Sequence, residues 1–220
     1  MPEPHEPHVP EIVASFFERY PIRSYDDGQL LIHAGDDSPS IFYIVSGAVR
    51  QYDISYRGAE VVVNKYKPGA FFPMLGAITG RPNTFFFAAD ATLAVRVAPR
   101  QEVVDFLHAQ PAVAFDLLTR LYSGVDGLLG RMAQLMAGSA RNRLLYEILI
   151  ECRRFGTAND VGVYTLAFKE SDMAAAAGLS RETVSRELQK LSHEGLVRLT
   201  RGSVAVPDIG AIEQEVGRGL

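Results

Sequence analysis

The chain has 220 residues, 47% hydrophobic and 22% charged, with 19 glycines and 12 prolines; this is ordinary globular usage, with room for one large or two modest domains. Its single cysteine, Cys152, excludes an internal disulfide, a cysteine zinc site and an iron–sulfur cluster, and points to a reducing, cytoplasmic setting. The net charge is −4, no run of 18 or more residues is apolar, and the start, Met1-Pro-Glu-Pro-His-Glu-Pro-His8, is acidic and proline-rich, so neither membrane insertion nor a secretory signal is expected.

A short helix is expected over Ile12 to Arg19. From Pro21 to about Val97 the pattern is that of β-structure, with branched and aromatic runs at Leu30–His33, Ile41–Val45, Ala48–Tyr52, Glu60–Asn64, Phe85–Ala88 and Thr92–Val97. Gly28, Gly35, Gly47, Gly58 and Pro68-Gly69 separate them. Closely spaced strands without intervening helices favour an antiparallel sandwich or jelly roll. A second short helix follows at Gln101 to Ala109.

Pro111 to Ala137 is a continuous helical pattern opening on proline, tolerated in a first turn. At 1.5 Å per residue it makes a rod about 40 Å long. Leu118, Leu121, Val125, Leu128, Met132 and Leu135 form an a/d seam, which Tyr122, Leu129 and Met136 widen. The seam suits pairing with a second copy; the alternative is one amphipathic helix on an intramolecular core. Gly124, Gly127 and Gly130 each cost about 1 kcal/mol in a helix interior, so a bend or pliable segment is expected there.

Beyond Ala140 the chain is dense in helix punctuation. Arg141 to Phe155 is one helical pattern, Met173 to Ala177 a short alanine-rich one, and Gly178 marks a tight turn. Ser180 is placed to cap a helix with Val184, Leu188 and Leu191 on one face, ending at Gly195. Gly195–Thr200, Arg201-Gly202 and Ser203–Val206 follow as a β-hairpin. Two helices at a glycine turn and a hairpin make a winged helix-turn-helix.

Ser180-Arg-Glu-Thr-Val-Ser-Arg186 carries the chemistry. With Val184 turned inward, Arg181, Glu182, Ser185 and Arg186 fall on the outward start of the second helix, the part that meets base edges in the major groove. Arginine donates two hydrogen bonds to guanine O6 and N7 and glutamate accepts from cytosine N4, so a half-site containing G·C is expected. Ser180 and Thr183 at the helix start, Lys169 before the first helix, and Arg198 and Arg201 on the wing are expected at phosphates. An ordinary Glu182–Arg186 ion pair on a solvated helix is the bland alternative. Charge agrees with the first reading: residues 138–206 carry +2, residues 1–137 carry −4 and residues 207–220 carry −2.

With these motifs in place the sequence resembles the Crp/Fnr family of bacterial transcription regulators from about Ile12 to Val216. Gly-Leu-Ser-Arg-Glu-Thr-Val-Ser-Arg (178–186) resembles the family's recognition helix, and Gly28, Gly35, Ile41-Phe-Tyr-Ile-Val-Ser-Gly47 and Pro68-Gly69 resemble its effector-binding β-roll. The resemblance implies an α+β chain: a cyclic-nucleotide-binding-like antiparallel β-roll (jelly roll) over residues 1–110, a dimerisation helix over 111–137, and a winged helix-turn-helix over 138–220. It also implies a homodimer on double-stranded DNA carrying an inverted repeat with TGTGA-like or TTGA-like arms, its half-sites about 34 Å apart. RNA polymerase is the further partner that the likeness brings.

The chain departs from the family's nucleotide-binding pattern at its phosphate cassette. Met74 stands where such members have a ribose-binding glutamate, Asn83 where they have a phosphate-binding arginine, and Pro73 replaces a glycine N–H. Arg81 is a nearby substitute for the lost charge, while Leu128 and Leu129 stand where such members offer hydroxyls to the base. Control by cyclic AMP is therefore not expected. Phe71, Phe72, Met74, Leu75, Asn83, Thr84, Phe85, Phe87 and Leu128 are candidate lining for an apolar effector pocket or, alternatively, plain core. The effector is an unidentified small molecule, or none.

His5 and His8 are candidate ligands at the N-terminus, but no metal or cofactor is assigned, and Cys152 beside Leu149 and Ile150 is expected in the core. No nucleophile elbow, metalloprotease helix or phosphate-binding glycine loop occurs, so no enzymatic activity is expected. Two other functions fit the same residues: a constitutive DNA-binding dimer, and a small-molecule binding module with a degenerate winged helix.

Overall fold

The computed structural model describes residues 8–218 apart from 57 and 59. The chain forms two compact units, residues 1–120 and 121–220. The first begins with α1 (Val9–Glu18) and continues through β1 (Ile22–Tyr25), β2 (Leu30–Ile32), β3 (Ser40–Ser46), β4 (Val49–Ile54), β5 (Glu60–Tyr66) and β6 (Phe71–Phe72). Then follow α2 (Met74–Thr79), β7 (Phe86–Ala89), β8 (Leu93–Pro99), α3 (Arg100–Ala109) and the start of α4 (Pro111–Ala137). The strands make two four-stranded antiparallel sheets, in the orders β1-β8-β3-β6 and β2-β7-β4-β5. This is the expected roll.

Side-chain alternation along β3 divides the apolar residues between two cores. Phe42 and Ile44 point into the roll with Ile32, Val49, Phe72, Phe87, Leu93 and Val95. Ile41 and Tyr43 point the other way, against Val13 and Phe17 of α1 and Val103 and Leu107 of α3. The roll interior is filled by stacked rings: Phe72 lies 5.6 Å from Phe42, 5.2 Å from Tyr66 and 5.3 Å from Phe87, centroid to centroid. Gly47 closes the β3–β4 turn at φ +84°, where a Cβ would come within 2.4 Å of the Thr92 carbonyl oxygen; only glycine fits that turn.

The second unit holds the rest of α4, then α5 (Ala140–Phe155), β9 (Thr157–Ala158), β10 (Tyr164–Ala167), α6 (Glu170–Ala177), α7 (Arg181–His193), β11 (Arg198–Thr200), β12 (Ser203–Val206) and α8 (Ile209–Arg218). Its core gathers Leu144, Leu145, Ile148 and Cys152 of α5, Val184, Leu188 and Leu191 of α7, Val204 and Val206 of β12, and Ile212 and Val216 of α8. The wing is larger than the expected hairpin, since β10 and β9 join it in the order β11-β12-β10-β9.

The three glycines of α4 do not interrupt it. Gly130 and Gly127 are instead the floor on which α5 packs: a Cβ on Gly130 would lie 1.9 Å from the Tyr146 hydroxyl oxygen, and that hydroxyl donates to the Gly127 carbonyl at 3.1 Å. Beside them Arg131 grips Glu147 with two hydrogen bonds, Nε to Oε1 at 2.5 Å and Nη2 to Oε2 at 2.7 Å. Glu147 is only 2% exposed, and its carboxylate raises the Arg131 pKa further above its ordinary value. Gly124 alone faces open space.

Candidate nucleic-acid interface

The reading surface is built from the turn outward. α6 stops because Gly178 takes the left-handed conformation at φ +61°, and its N–H returns to the carbonyls of Ala174 and Ala175. Two residues on, the Ser180 hydroxyl oxygen accepts the Thr183 N–H at 3.2 Å and starts α7. Val184, Leu188 and Leu191 anchor the inner face of that helix. Its other side therefore points to solvent: Arg181, Glu182 and Arg186 are exposed and Ser185 half-buried. These four share one open concavity with Glu170 of α6 and Gln189, two helical turns further along α7.

The charges on this surface are left available. Arg181 makes no salt bridge among the described residues, and the nearest acid to Arg186 is Glu187, 3.9 Å from its Nε. The alternative Glu182–Arg186 ion pair does not form. Glu182 turns instead to its own backbone N–H and to the Ser180 hydroxyl, which with Arg181 hold its carboxyl below the usual carboxylate range. It is an ionised acceptor at neutral pH.

The residues expected at phosphates are placed in two ways. Lys169, at the cap position of α6, and Arg198 and Arg201, on the wing strand and its tip, are exposed and without a salt bridge among the described residues. Ser180 and Thr183 are engaged with each other, their hydroxyl oxygens 3.0 Å apart, while the helix N-terminus they cap presents backbone N–H groups. The wing tip is docked to the same loop as Lys169, because the Phe168 N–H donates to the Gly202 carbonyl at 3.0 Å.

Comparison with known proteins assigns these units. Residues 22–110 match the cyclic nucleotide-binding domain family and residues 142–215 match the Crp-like helix-turn-helix domain family, in that order along one chain. The chain belongs to the Crp/Fnr family of transcription regulators. Among curated relatives, it is 28% identical to the cyclic AMP receptor protein of Thermus thermophilus over 97% of this chain and 94% of that one. It is 26% identical to the global nitrogen regulator of Synechocystis over 88% of each. In fold it matches FixK2 of Bradyrhizobium japonicum with a TM-score of 0.72 at 21% identity, over 89% of this chain and 96% of that one.

Elsewhere in this Crp/Fnr regulator, the expected pairing seam is open to solvent. Leu118, Leu121, Val125, Leu128, Met132 and Leu135 of α4 are all exposed large hydrophobics, Leu128 by 52%. The residues expected at an effector pocket divide within the first unit: Phe72, Phe85 and Phe87 belong to the core of the roll. Phe72 is fully buried inside the roll, whereas Phe71 and Met74 pack on the opposite side of the sheet with α1 and α3. Leu75 and Thr84 face solvent. Asn83 is 5% exposed and staples two loops, its Nδ2 donating to the Asp36 carbonyl at 3.1 Å. His5 lies outside the described residues, and the His8 N–H donates to Glu11 Oε2 at the start of α1. No cluster of three or more His, Cys, Asp or Glu suited to a metal ion occurs among the described residues.

Three features of this surface and of its support are not legible in the residue pattern alone. Gln189 shares the concavity; its spacing of four from Ser185 was the available signal. Arg141 binds both oxygens of Glu194 at the end of α7 and reaches Glu215 of α8 at 3.4 Å, seating α7 on α5. The Arg131–Glu147 clamp joins residues 16 apart, and nothing local marks such a pair.

Proposed function

We propose that this transcription regulator acts as a cytoplasmic homodimer joined along Leu118, Leu121, Val125, Leu128, Met132 and Leu135 of α4. Each copy reads one arm of an inverted repeat through Arg181, Glu182, Ser185 and Arg186. Lys169, Arg198 and Arg201, with the helix start at Ser180 and Thr183, hold the phosphates. The observation that carries this reading is the concavity on α7, where Arg181, without a salt bridge among the described residues, faces solvent together with Arg186, only 3.9 Å from Glu187, and an ionised glutamate. RNA polymerase is the partner through which such a regulator acts on transcription. Effector binding to the roll, or its absence, shifts the population of reading-competent dimers.

Cyclic AMP is not the proposed effector, although the relative from Thermus thermophilus is named for it. Asn83 spends its side-chain amide on Asp36 and Met74 packs away from the roll interior, leaving neither a cation for the phosphate nor an acceptor for the ribose at those positions. The domain division that goes with this function is an effector domain over 1–110, a pairing helix over 111–137 and a DNA-binding domain over 138–220.

The test is a gel-shift titration on DNA selected from random duplexes. Wild type should select an inverted repeat, and Arg181→Glu with Arg186→Glu should abolish the shift; retention of full affinity by that double variant would overturn the reading. Calorimetry against cyclic AMP and cyclic GMP should show no micromolar binding. Micromolar heat with either nucleotide would overturn the assignment of Met74 and Asn83.

A further inference from the structure

The concavity on α7 holds one further polar side chain beside the proposed base contacts. Gln189 is exposed, lies three and four residues beyond Arg186 and Ser185 on the same face, and makes no hydrogen bond among the described residues. Its neighbour Lys190 is diverted, with Nζ 2.9 Å from Glu187 Oε1. The two carboxylates that line the same concavity, Glu170 and Glu182, repel phosphate. Arg181 and Arg186 line it as well, so phosphate is not excluded by charge; in the reading proposed above this face of α7 meets base edges, and Gln189 lies on it. A primary amide carries a donor and an acceptor side by side, the complement of adenine N6 and N7 in the major groove.

We infer that Gln189 is a base-reading residue selective for adenine, which extends the half-site beyond the bases met by Arg181 and Arg186. Eight residues separate Arg181 from Gln189, about 12 Å along the helix. Because a recognition helix lies along the major groove, Gln189 meets a base pair other than the one read by Arg181. The inference rests on the DNA-reading surface proposed above. It adds a position at which this chain discriminates and the residue that sets it.

The experiment is parallel selection of bound sites from random duplex DNA with full-length wild type, Gln189→Ala and Gln189→Glu, followed by affinities on duplexes changed at single positions. Wild type should prefer adenine at one position per arm by about 5- to 100-fold. Gln189→Ala should lose that preference there and keep it elsewhere, and Gln189→Glu should move it toward cytosine, whose N4 donates to a carboxylate. Equal weakening of Gln189→Ala on every duplex would make Gln189 a phosphate contact and overturn the inference, as would unchanged preferences in both variants. Failure of wild type to select any site would sink the DNA-reading surface itself, and so is distinguishable from failure of Gln189 alone.

Discussion

Single atoms decide what the glycines of α4 are for. On sequence alone Gly124, Gly127 and Gly130 look equivalent, three weak points in one helix. The Tyr146 ring separates them: it occupies the space a Gly130 side chain would need and leaves Gly124 open. Gly124→Ala should therefore stabilise the chain by about 0.5–1 kcal/mol, since it removes backbone freedom and meets nothing. Gly130→Ala should destabilise it by about 1–3 kcal/mol through overpacking. Denaturant melts of the two variants check the opposite signs. Cys152 is a second case of burial setting chemistry. Desolvation in the α5 core, with Glu151 adjacent, pushes its thiol up to about 12, so the native protein should not react with iodoacetamide at neutral pH and should react once unfolded.

Elements were legible wherever one period ran long enough to be counted. The limits of α4 read from the sequence, Pro111 and Ala137, coincide with those of the structure, because its seam repeats through 27 residues. The winged helix was equally plain, since a left-handed glycine and a serine cap punctuate it. α8 was missed, although Asp208 accepts the Gly210 N–H at 2.9 Å and Ile209, Ile212 and Val216 share a face; its glycines and short length masked the period. β6 and β9 have two residues each, too few to show alternation. The aromatics suspected of lining a pocket illustrate a different limit: Phe71 and Phe72 are adjacent in sequence and serve opposite cores, which needs the strand's pleat to be known.

Ion pairs between elements make their own predictions. Removing one partner of the buried Arg131–Glu147 pair, by Arg131→Ala, should cost about 3–5 kcal/mol, while Arg131→Met with Glu147→Leu should recover most of it. Urea titration of both variants measures the difference. At the far end of α5, the Arg141 guanidinium holds the Glu194 carboxyl below the usual carboxylate range. A lowered folded pKa stabilises above the ordinary glutamate range, and that contribution disappears as pH falls through the lowered value. The stability gap between wild type and Arg141→Gln should accordingly be largest near neutrality and close in acid.

At the scale of the whole molecule, the claim to test is pairing. The exposed apolar seam of α4 and the solvent face of α7 were legible because both are periodic surfaces; an effector site has no such period, because a ligand is recognised by atoms from several loops at once. Leu121→Glu with Leu128→Glu should convert the dimer to monomer in sedimentation equilibrium and reduce DNA affinity at least tenfold, since one arm alone would then be gripped. Unchanged mass would place the pairing surface elsewhere. Affinity of the wild type should also fall steeply and linearly in log–log form with added salt, as expected when lysines and arginines displace counterions.

The Tyr146 hydroxyl on Gly127 and the Arg131 grip on Glu147 together key α4 to α5 like a shaft in its slot. Turning α4 by a single residue, about 100°, would pull the guanidinium off its carboxylate and drive a side chain into the ring. The latter half of the helix can therefore not spin idly against α5, and a rotation of one carries the other with it.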